Sequence, residues 1–379
     1  MILSGDWLQD PATQAVCDAL TSGGHQALFV GGCVRNSLLG MPIGDVDIAT
    51  DATPERVVAL ARMAGLKAVP TGIDHGTVTL VAQRQPFEVT TFRRDVATDG
   101  RHATVVFSSQ IEEDAARRDF TMNALYARPD GTLVDPLNGL PDLRARLLRF
   151  VGDPAARIRE DYLRILRFFR FHAWYGDPAN GIDAEGLAAC AAGIDGLAAL
   201  SRERVGAEMR KLLSAPNPAP SVASMAQSGV LSALLPGTDP RALAPLIHLE
   251  QGIPPRWLRR LAVLGGADLT DALRLSRAEA RDLARLHDAT GSMLTPAVLG
   301  QKLGADLATD VMLSRAAMLE QPQPQDWQSE VARGAQTRFP ITSADLPNLV
   351  GPLLGQELKR LERAWLASDL RLTKADLLR

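Results

Sequence analysis

Cysteine is scarce in this 379-residue sequence, and positive charge is not in excess. Cys17, Cys33 and Cys190 show neither metal-ligand nor disulfide spacing, which argues against a zinc-bound or disulfide-stapled fold and favours a reducing cytoplasm. A formal net charge of −3 does not fit a protein that coats nucleic acid through bulk charge. Any RNA binding must therefore come from a local basic face.

Long hydrophobic runs are also absent. The nearest, residues 187–200, contains Asp195 and two glycines, so we expect no membrane-spanning segment. The N-terminal residues include Asp6 and Asp10 and lack the basic and apolar regions of a signal peptide. The composition, 46% hydrophobic and 22% charged, is typical of a globular protein. The length suggests about two to four domains, and we expect a cytoplasmic location.

Two glycines followed by paired aspartates form the most informative pattern that is present. Gly31 and Gly32 end a short apolar run, and Asp45 and Asp47 lie at a second one. On a strand, residues two apart point from the same face, and two close carboxylates repel each other unless a cation lies between them. Mg2+ binds one or two carboxylates together with substrate phosphates, and glycines let backbone amides approach a polyphosphate. The pattern predicts metal-assisted phosphoryl or nucleotidyl transfer, although either half alone is common in turns and on solvated surfaces.

Two further charged blocks strengthen this interpretation. Residues 117–125 read RRDFTMNAL, and residues 157–167 read RIREDYLRILR. Four charged blocks in this order are not expected from surface solvation alone.

With these blocks the chain resembles the class II tRNA nucleotidyltransferases, or CCA-adding enzymes, and the bacterial poly(A) polymerases of the DNA polymerase β-like superfamily. The blocks match the family's motifs A, B and D, while residues 149–154 resemble the segment with motif C and residues 201–213 resemble motif E. The resemblance implies addition of C, C and A to tRNA 3′ ends without a nucleic-acid template. The substrates would be tRNA, CTP and ATP, pyrophosphate would be released, Mg2+ would be the cofactor, and no protein partner would be obligatory.

The resemblance implies an α+β fold, with an N-terminal polymerase β-like mixed α/β nucleotidyltransferase head followed by an all-α C-terminal part. Local patterns agree, since Asp10-Pro11 predicts a helix start and residues 76–82 and 87–92 alternate as neighbouring strands do. Beyond about Arg144 the patterns are helical, as at residues 160–173, 270–288 and 354–367. We expect a catalytic head at 1–146, a helical neck with the base template at 147–235, and a helical, tRNA-binding body and tail at 236–379.

The resemblance also assigns roles to residues of the head. Asp45 and Asp47 would hold two Mg2+ ions, and Gly31, Gly32 and Arg35 would hold the triphosphate. Within the head, motif B would supply the other nucleotide contacts, from Arg118, Asp119 and Asn123. Asp119 and Asn123 would contact the ribose. A polar group at the 2′-hydroxyl is how such a site distinguishes NTP from dNTP.

Asp161 and Arg164 allow two interpretations. They are three residues apart in a predicted helix and would share a face, where an ion pair is worth only about a few tenths of a kcal/mol. The resemblance instead implies that they form a protein template for the base, braced by Arg167. Arg164 would donate to N3 and O2 of cytosine while Asp161 accepts from N4, and a shifted pose would suit adenine. Uracil and guanine present the wrong order of donors and acceptors.

Two positions in the predicted site stay open. A third metal-binding carboxylate comes from Glu88 or Asp119, since the superfamily usually takes it from a neighbouring strand. Residue 36, usually Asp in the family, is Asn36 here, so this position carries no charge.

Two further features of the sequence are a polar segment after the second predicted strand and a single His-Asp pair. Residues 95–102, a polar segment with a glycine, correspond to the flexible loop needed for the switch to adenine addition, or to an ordinary loop. His287-Asp288 is the only His-Asp pair, and it lacks partner histidines for an HD-type phosphohydrolase domain.

Three other functions were weighed. A poly(A) polymerase would be favoured by a strongly basic tail, which the sequence lacks. An enzyme that adds only CC or only A remains an alternative. A non-catalytic RNA-binding scaffold is disfavoured by the intact Asp45 and Asp47.

Overall fold

The structure, a computed structural model, describes residues 1–99 and 102–379, with only the backbone described at 95–99 and 102–104. The chain forms two compact units. The first comprises Met1–Glu208 and Ser224–Ala233, and the second comprises Met209–Ala223 and Leu234–Arg379. The predicted neck, residues 147–235, contributes to both units, and the three-domain division stays a prediction.

The strands all lie in the first unit of the described chain. They are β1 Leu28–Val30, β2 Asp47–Thr50, β3 Lys67–Gly72, β4 Thr77–Ala82, β5 Gln85–Thr91, β6 Arg93–Asp99, β7 His102–Phe107, β8 Tyr126–Ala127 and β9 Leu133–Val134.

A mixed sheet organises the first unit. Within the described residues its strand order is β3-β4-β5-β2-β1-β8-β9, and β6 pairs with β7 separately. The β2–β5 pair is parallel, whereas β4 and β5 are antiparallel neighbours, as their alternation predicts. The mixed α/β head followed by helices is confirmed. The predicted loop at 95–102 falls largely on β6 and β7, and its residues Gly100 and Arg101 lie outside the described residues.

The helices are given in chain order. Those up to residue 234 are α1 Asp6–Gln9, α2 Pro11–Thr21, α3 Gly32–Leu38, α4 Pro54–Met63, α5 Ile111–Ala116, α6 Leu140–Arg144, α7 Pro154–Glu160, α8 Leu163–Tyr175, α9 Ala184–Ala192, α10 Arg202–Leu213, α11 Ala219–Gln227 and α12 Val230–Leu234. Those that follow are α13 Leu243–Leu249, α14 Trp257–Leu264, α15 Leu269–Ala272, α16 Arg277–Thr290, α17 Pro296–Leu303, α18 Ala305–Leu319, α19 Trp327–Gln336, α20 Gly351–Ala367 and α21 Lys374–Leu377.

Local capping sets several helix starts. Asp10 accepts a hydrogen bond from the Thr13 N–H and precedes proline, so α2 begins where the sequence predicts. Thr53 caps α4 in the same way, and Ser276 forms a capping box with Glu279 at α16. The last cap breaks the helix predicted at 270–288 into α15 and α16, which corrects that prediction.

The helix predicted at 160–173 is also broken, and this correction matters for the site. Helix α7 ends at Glu160, Asp161 is extended at φ −153° and ψ 107°, and α8 begins at Leu163. The Asp161 carboxylate accepts from the Leu163 N–H. The neighbouring Tyr162 ring packs closely on Gly196, where a Cβ would lie 2.0 Å from a ring carbon. Asp161 and Arg164 therefore do not share one helical face.

An aromatic cluster joins α8 to the head. Phe120 and Phe150 stack against Phe168 and Phe171 of α8, with ring centroids 4.9 to 6.3 Å apart. Burial of these large rings gives α8 a fixed position beside motif B. In the part of the chain that the structure describes, no helix has the length and apolar character needed to cross a membrane.

Candidate active site

The candidate metal carboxylates lie at the start of β2. Asp47 is the first residue of the strand and is half-buried, whereas Asp45 precedes the strand and is exposed. Glu88 lies directly opposite Asp47 on the parallel strand β5. Burial raises the pKa of Asp47, Glu88 and Asp45 raise it further, and Arg118 opposes them. A cation bound here would relieve this repulsion, which fits a metal site.

The carboxylates do not form a complete cage by themselves. Among the described residues, no group of three or more His, Cys, Asp or Glu side chains converges closely enough to hold a metal ion. Asp45 and Asp47 fit a cation that takes its remaining ligands from substrate phosphates and water, as Mg2+ does. Glu88, opposite Asp47, is the better placed of the two candidates for a third carboxylate.

Asp119, the other candidate, is already engaged. Its carboxylate accepts from Arg167 Nε at 2.7 Å, from Asn123 Nδ2 at 2.9 Å and from the Phe120 N–H at 2.9 Å. Burial alone would raise the pKa of Asp119, but Arg167 and these hydrogen bonds lower it. With a second hydrogen bond from Arg167 Nη2, the side chain is a buried anion with four donors from three residues, which leaves little capacity for a metal.

The glycine turn lies beside an arginine. Gly31 has φ 73° and ψ −119°, a left-handed conformation that suits glycine, and it directly precedes α3. A Cβ at Gly31 would lie 3.7 Å from Arg118 Nη1. Because glycine has no side chain, the space between the turn and this guanidinium is left free.

Arg118 is held from one side only. Its Nε donates to the Tyr126 hydroxyl at 3.0 Å, and its Nη2 donates to Asp114 at 3.0 Å. Asp114 is buried and also accepts from Arg117 and from Tyr126. Burial would raise the pKa of Asp114, but Arg118 and Arg117 lower it. These hydrogen bonds fix the guanidinium of Arg118, and its Nη1 faces the glycine turn.

Arg35, the other arginine predicted to contact the triphosphate, is buried and bound to side chains of the protein itself. It is 6% exposed, and it donates to Asn123 at 2.5 Å, to Tyr175 at 2.8 Å and to Asn36 at 2.9 and 3.1 Å. Its guanidinium also lies 4.0 Å from the centroid of the Tyr175 ring. Burial lowers its pKa. Most of its donors are thus used inside the protein, and its predicted contact with triphosphate stays a prediction.

These contacts form a continuous series of side chains. We use the term bonded series for Arg167, Asp119, Asn123, Arg35 and Asn36, in which each member hydrogen-bonds to the next. The series begins on α8, passes through motif B and ends on α3. The structure therefore brings together four of the predicted nucleotide-binding residues by binding them to one another.

Asp161 and Arg164 each have another partner. Asp161 accepts from Arg204 Nη2 at 2.6 Å, and Arg164 Nη1 donates to Glu160 at 2.5 Å and to the Arg157 carbonyl at 2.9 Å. Both Asp161 and Arg204 are partly exposed. The simple ion pair between Asp161 and Arg164 is therefore not the arrangement seen, and the base-template role stays a prediction.

Three site residues were not predicted. Asp114, Tyr126 and Arg204 hold the predicted residues Arg118 and Asp161 in place. The position of Asp114, three and four residues before a pair of arginines, is a local signal that could have indicated it. Arg204 meets Asp161 only through the tertiary fold.

A mixed sheet that presents an aspartate pair next to a glycine turn is typical of a nucleotidyltransferase head. Two family models match the chain, one described as "Poly A polymerase head domain" at residues 27–149 and one as "Probable RNA and SrmB- binding site of polymerase A" at residues 181–241.

Individual relatives extend the comparison. CCA tRNA nucleotidyltransferase 1, mitochondrial, of Danio rerio is 33% identical over 376 residues, which cover 92% of this chain and 85% of that protein. The protein of the same name from Mus musculus is 45% identical over 191 residues, 50% of this chain but only 44% of the mouse protein. The Bacillus stearothermophilus CCA-adding enzyme, solved in complex with CTP, has a TM-score of 0.72 at 30% identity, covering 95% of this chain and 94% of that one. The chain belongs to the family of class II CCA-adding enzymes and poly(A) polymerases.

Proposed function

We propose that this chain is a template-independent RNA nucleotidyltransferase that adds C, C and A to the 3′ end of tRNA from CTP and ATP. The observation that carries the proposal is the placement of Asp47 opposite Val30, directly before the Gly31 turn, with Glu88 on its other side and Arg118 facing the glycine. Relatives named for CCA addition, one of them solved with CTP, support the choice of substrates.

The residues divide the chemistry between them. Asp45 and Asp47 would hold Mg2+, which lowers the pKa of the primer 3′-hydroxyl and neutralises the triphosphate when it is bound. Arg118, fixed by Asp114 and Tyr126, would donate from Nη1 to a phosphate oxygen. The amides at the Gly31 turn would approach the same phosphates.

Base selection would use Asp161 and Arg164. A base that offers an amino group to Asp161 and acceptors to Arg164 satisfies both side chains, whereas uracil and guanine leave a charged group without its partner. The bonded series would hold Asp119 and Asn123 beside the ribose. The cytoplasm is the location we propose, since the three cysteines are unpaired and buried.

The decisive experiment uses tRNA transcripts that end at the discriminator base, after C or after CC. Each transcript is incubated with the protein, Mg2+ and one NTP at a time, and the added nucleotides are read on a sequencing gel. We expect C to be added twice, A once, and growth to stop. Addition that ends at CC or begins only after CC would indicate a CC-only or A-only enzyme, and a long adenosine ladder on unstructured RNA would indicate a poly(A) polymerase.

The metal carboxylates give a second test. We expect Asp45→Ala and Asp47→Ala each to reduce the rate of CTP addition by about a thousandfold or more, because a metal ligand is lost at the reacting phosphate. Both residues lie at a strand start and outside the buried core, so thermal unfolding of the variants should remain near that of the wild type. Retention of more than about a tenth of the activity by either variant would remove the metal role.

A further inference from the structure

Asn36 makes contacts that need both halves of an amide. Its Oδ1 accepts from Arg35 Nε at 3.1 Å and from Arg35 Nη2 at 2.9 Å, while its Nδ2 donates to the Pro42 carbonyl at 2.7 Å. A carboxylate at this position would accept from Arg35 equally well but has no proton to give to Pro42 at neutral pH. The residue usual in the family could therefore not make this set of contacts in this chain.

The contact with Pro42 holds the chain that leads to the candidate metal site. The Met41 N–H also donates to the Asn36 carbonyl at 2.9 Å, so the turn after α3 is tied to the helix twice. Pro42 is three residues before Asp45, which limits the separation of their Cα atoms to about 11 Å. The position of the turn therefore limits where the backbone of Asp45 can lie.

The side chain of Asn36 is fixed by Arg35, which donates two hydrogen bonds to its oxygen. It is the last member of the bonded series, whose central members Asp119, Asn123 and Arg35 are 8%, 6% and 6% exposed. Because Arg35 is fixed by Asn123 and by Tyr175, its Nε and Nη2 present a fixed edge to the Asn36 oxygen. The orientation of the amide, with nitrogen toward Pro42, follows from this edge.

We propose that Asn36 is a positioning residue whose amide holds the turn at residues 40–44, so that Asp45 stands beside Asp47. The inference rests on the proposed function, because the metal role of Asp45 is part of it. Asn36 thereby joins α8, through the bonded series, to the loop of the metal carboxylates.

The experiment compares Asn36→Asp with the wild-type protein and with the matched control Ser37→Ala on the same helix. Asn36→Asp keeps the acceptor for Arg35 and removes only the donor to Pro42. Hydrogen exchange followed by mass spectrometry on peptides covering residues 39–47 should show about three- to tenfold faster exchange in Asn36→Asp, the effect of losing one neutral hydrogen bond. Ser37→Ala should match the wild type.

Activity gives a second readout. The Mg2+ concentration for half-maximal CTP addition should rise about three- to tenfold in Asn36→Asp, while KM for tRNA stays within about twofold because the turn is remote in sequence from the helical body. Asn36→Ala, which lacks donor and acceptor, should be affected at least as strongly.

Three results would overturn the proposal. The first is unchanged exchange at residues 39–47, a result that does not depend on catalysis and so separates this inference from the proposed function. The second is an unchanged or lower Mg2+ requirement in Asn36→Asp, which would mean that a carboxylate here adds an ionic contact. The third is an Asn36→Ala variant with wild-type exchange and Mg2+ requirement. The changes in Asn36→Asp would then be due to the added charge and not to the lost donor.

Discussion

The two arginines predicted to meet the nucleotide in the head differ in how much donor capacity they have left. Arg35 is buried and donates to Asn36, Asn123 and Tyr175. Arg118 uses Nε and Nη2 on Tyr126 and Asp114 and keeps Nη1 beside the glycine turn. A guanidinium that is fixed at one edge and open at the other suits a phosphate, so Arg118 is the better candidate for the triphosphate.

Asp161 provides a prediction at the same scale. Asp161→Ala removes the acceptor for the amino group shared by cytosine and adenine, while Arg164 can still donate to the oxygens of uracil. We expect the ratio of kcat/KM for CTP over UTP to fall by about tenfold to a hundredfold, the discrimination of one bidentate contact. Arg204→Ala, which frees the Asp161 carboxylate, should lower the ratio by a smaller factor.

A double-mutant cycle separates the two residues. If Arg204 acts through Asp161, Arg204→Ala should add no further loss in the Asp161→Ala background. Arg159→Ala, an arginine of α7 that is 66% exposed, is the control and should leave the ratio unchanged. Additive losses would mean that Arg204 itself contacts the base or the RNA. An unchanged CTP/UTP ratio in Asp161→Ala would contradict the base-template assignment.

At the level of elements, α17 and α19 approach each other backbone to backbone. A Cβ at Gly300 would lie 2.2 Å from the carbonyl oxygen of Val331. A Cβ at Gly334 would lie 1.8 Å from the carbonyl oxygen of Ala297. Two glycines on facing helices thus permit a packing distance that no other residue allows. Since the clashing atoms are backbone, they cannot move away as a side chain would.

Gly334→Ala should therefore destabilise the second unit by about 1–3 kcal/mol or more, because the helices must separate. Denaturant unfolding measures the change. The matched control is Gly355→Ala in α20, where the added methyl group meets no neighbour, and it should be neutral or stabilising by up to about 1 kcal/mol. Equal stability of the two variants would contradict the close packing of α17 and α19.

The elements also show what a sequence can and cannot predict. Helix α2 begins where Asp10-Pro11 predicts, because a cap and a proline act within one turn. The break at Asp161 is not predicted by the apolar spacing, and it is accompanied by contacts with distant residues: Arg204 donates to the Asp161 carboxylate, and the Tyr162 ring packs against Gly196, 34 residues further along. Short-range chemistry was thus predictable and long-range packing was not.

For the whole molecule, the net charge of −3 is accompanied by close pairing of the arginines on α8 with acidic side chains. Arg164, Arg167 and Arg170 follow one another at intervals of three, and they pair with Glu160, Asp119 and Glu208. The positive charge of these three arginines is thus largely neutralised within the first unit. The family and the fold could be predicted from ordered motifs, whereas the partners of Arg167 and Arg170 could not, because Asp119 and Glu208 come from distant segments.

The burial of the cysteines has a practical consequence. Cys17, Cys33 and Cys190 all lie in the first unit and are at most 1% exposed. Burial raises the pKa of Cys33 to about 11 and that of Cys17 to about 12, so neither thiol is ionised in the native state at neutral pH. A thiol reagent can react only when the unit opens. The rate of modification therefore reports the opening free energy of the first unit alone, with no signal from the second unit and no introduced label.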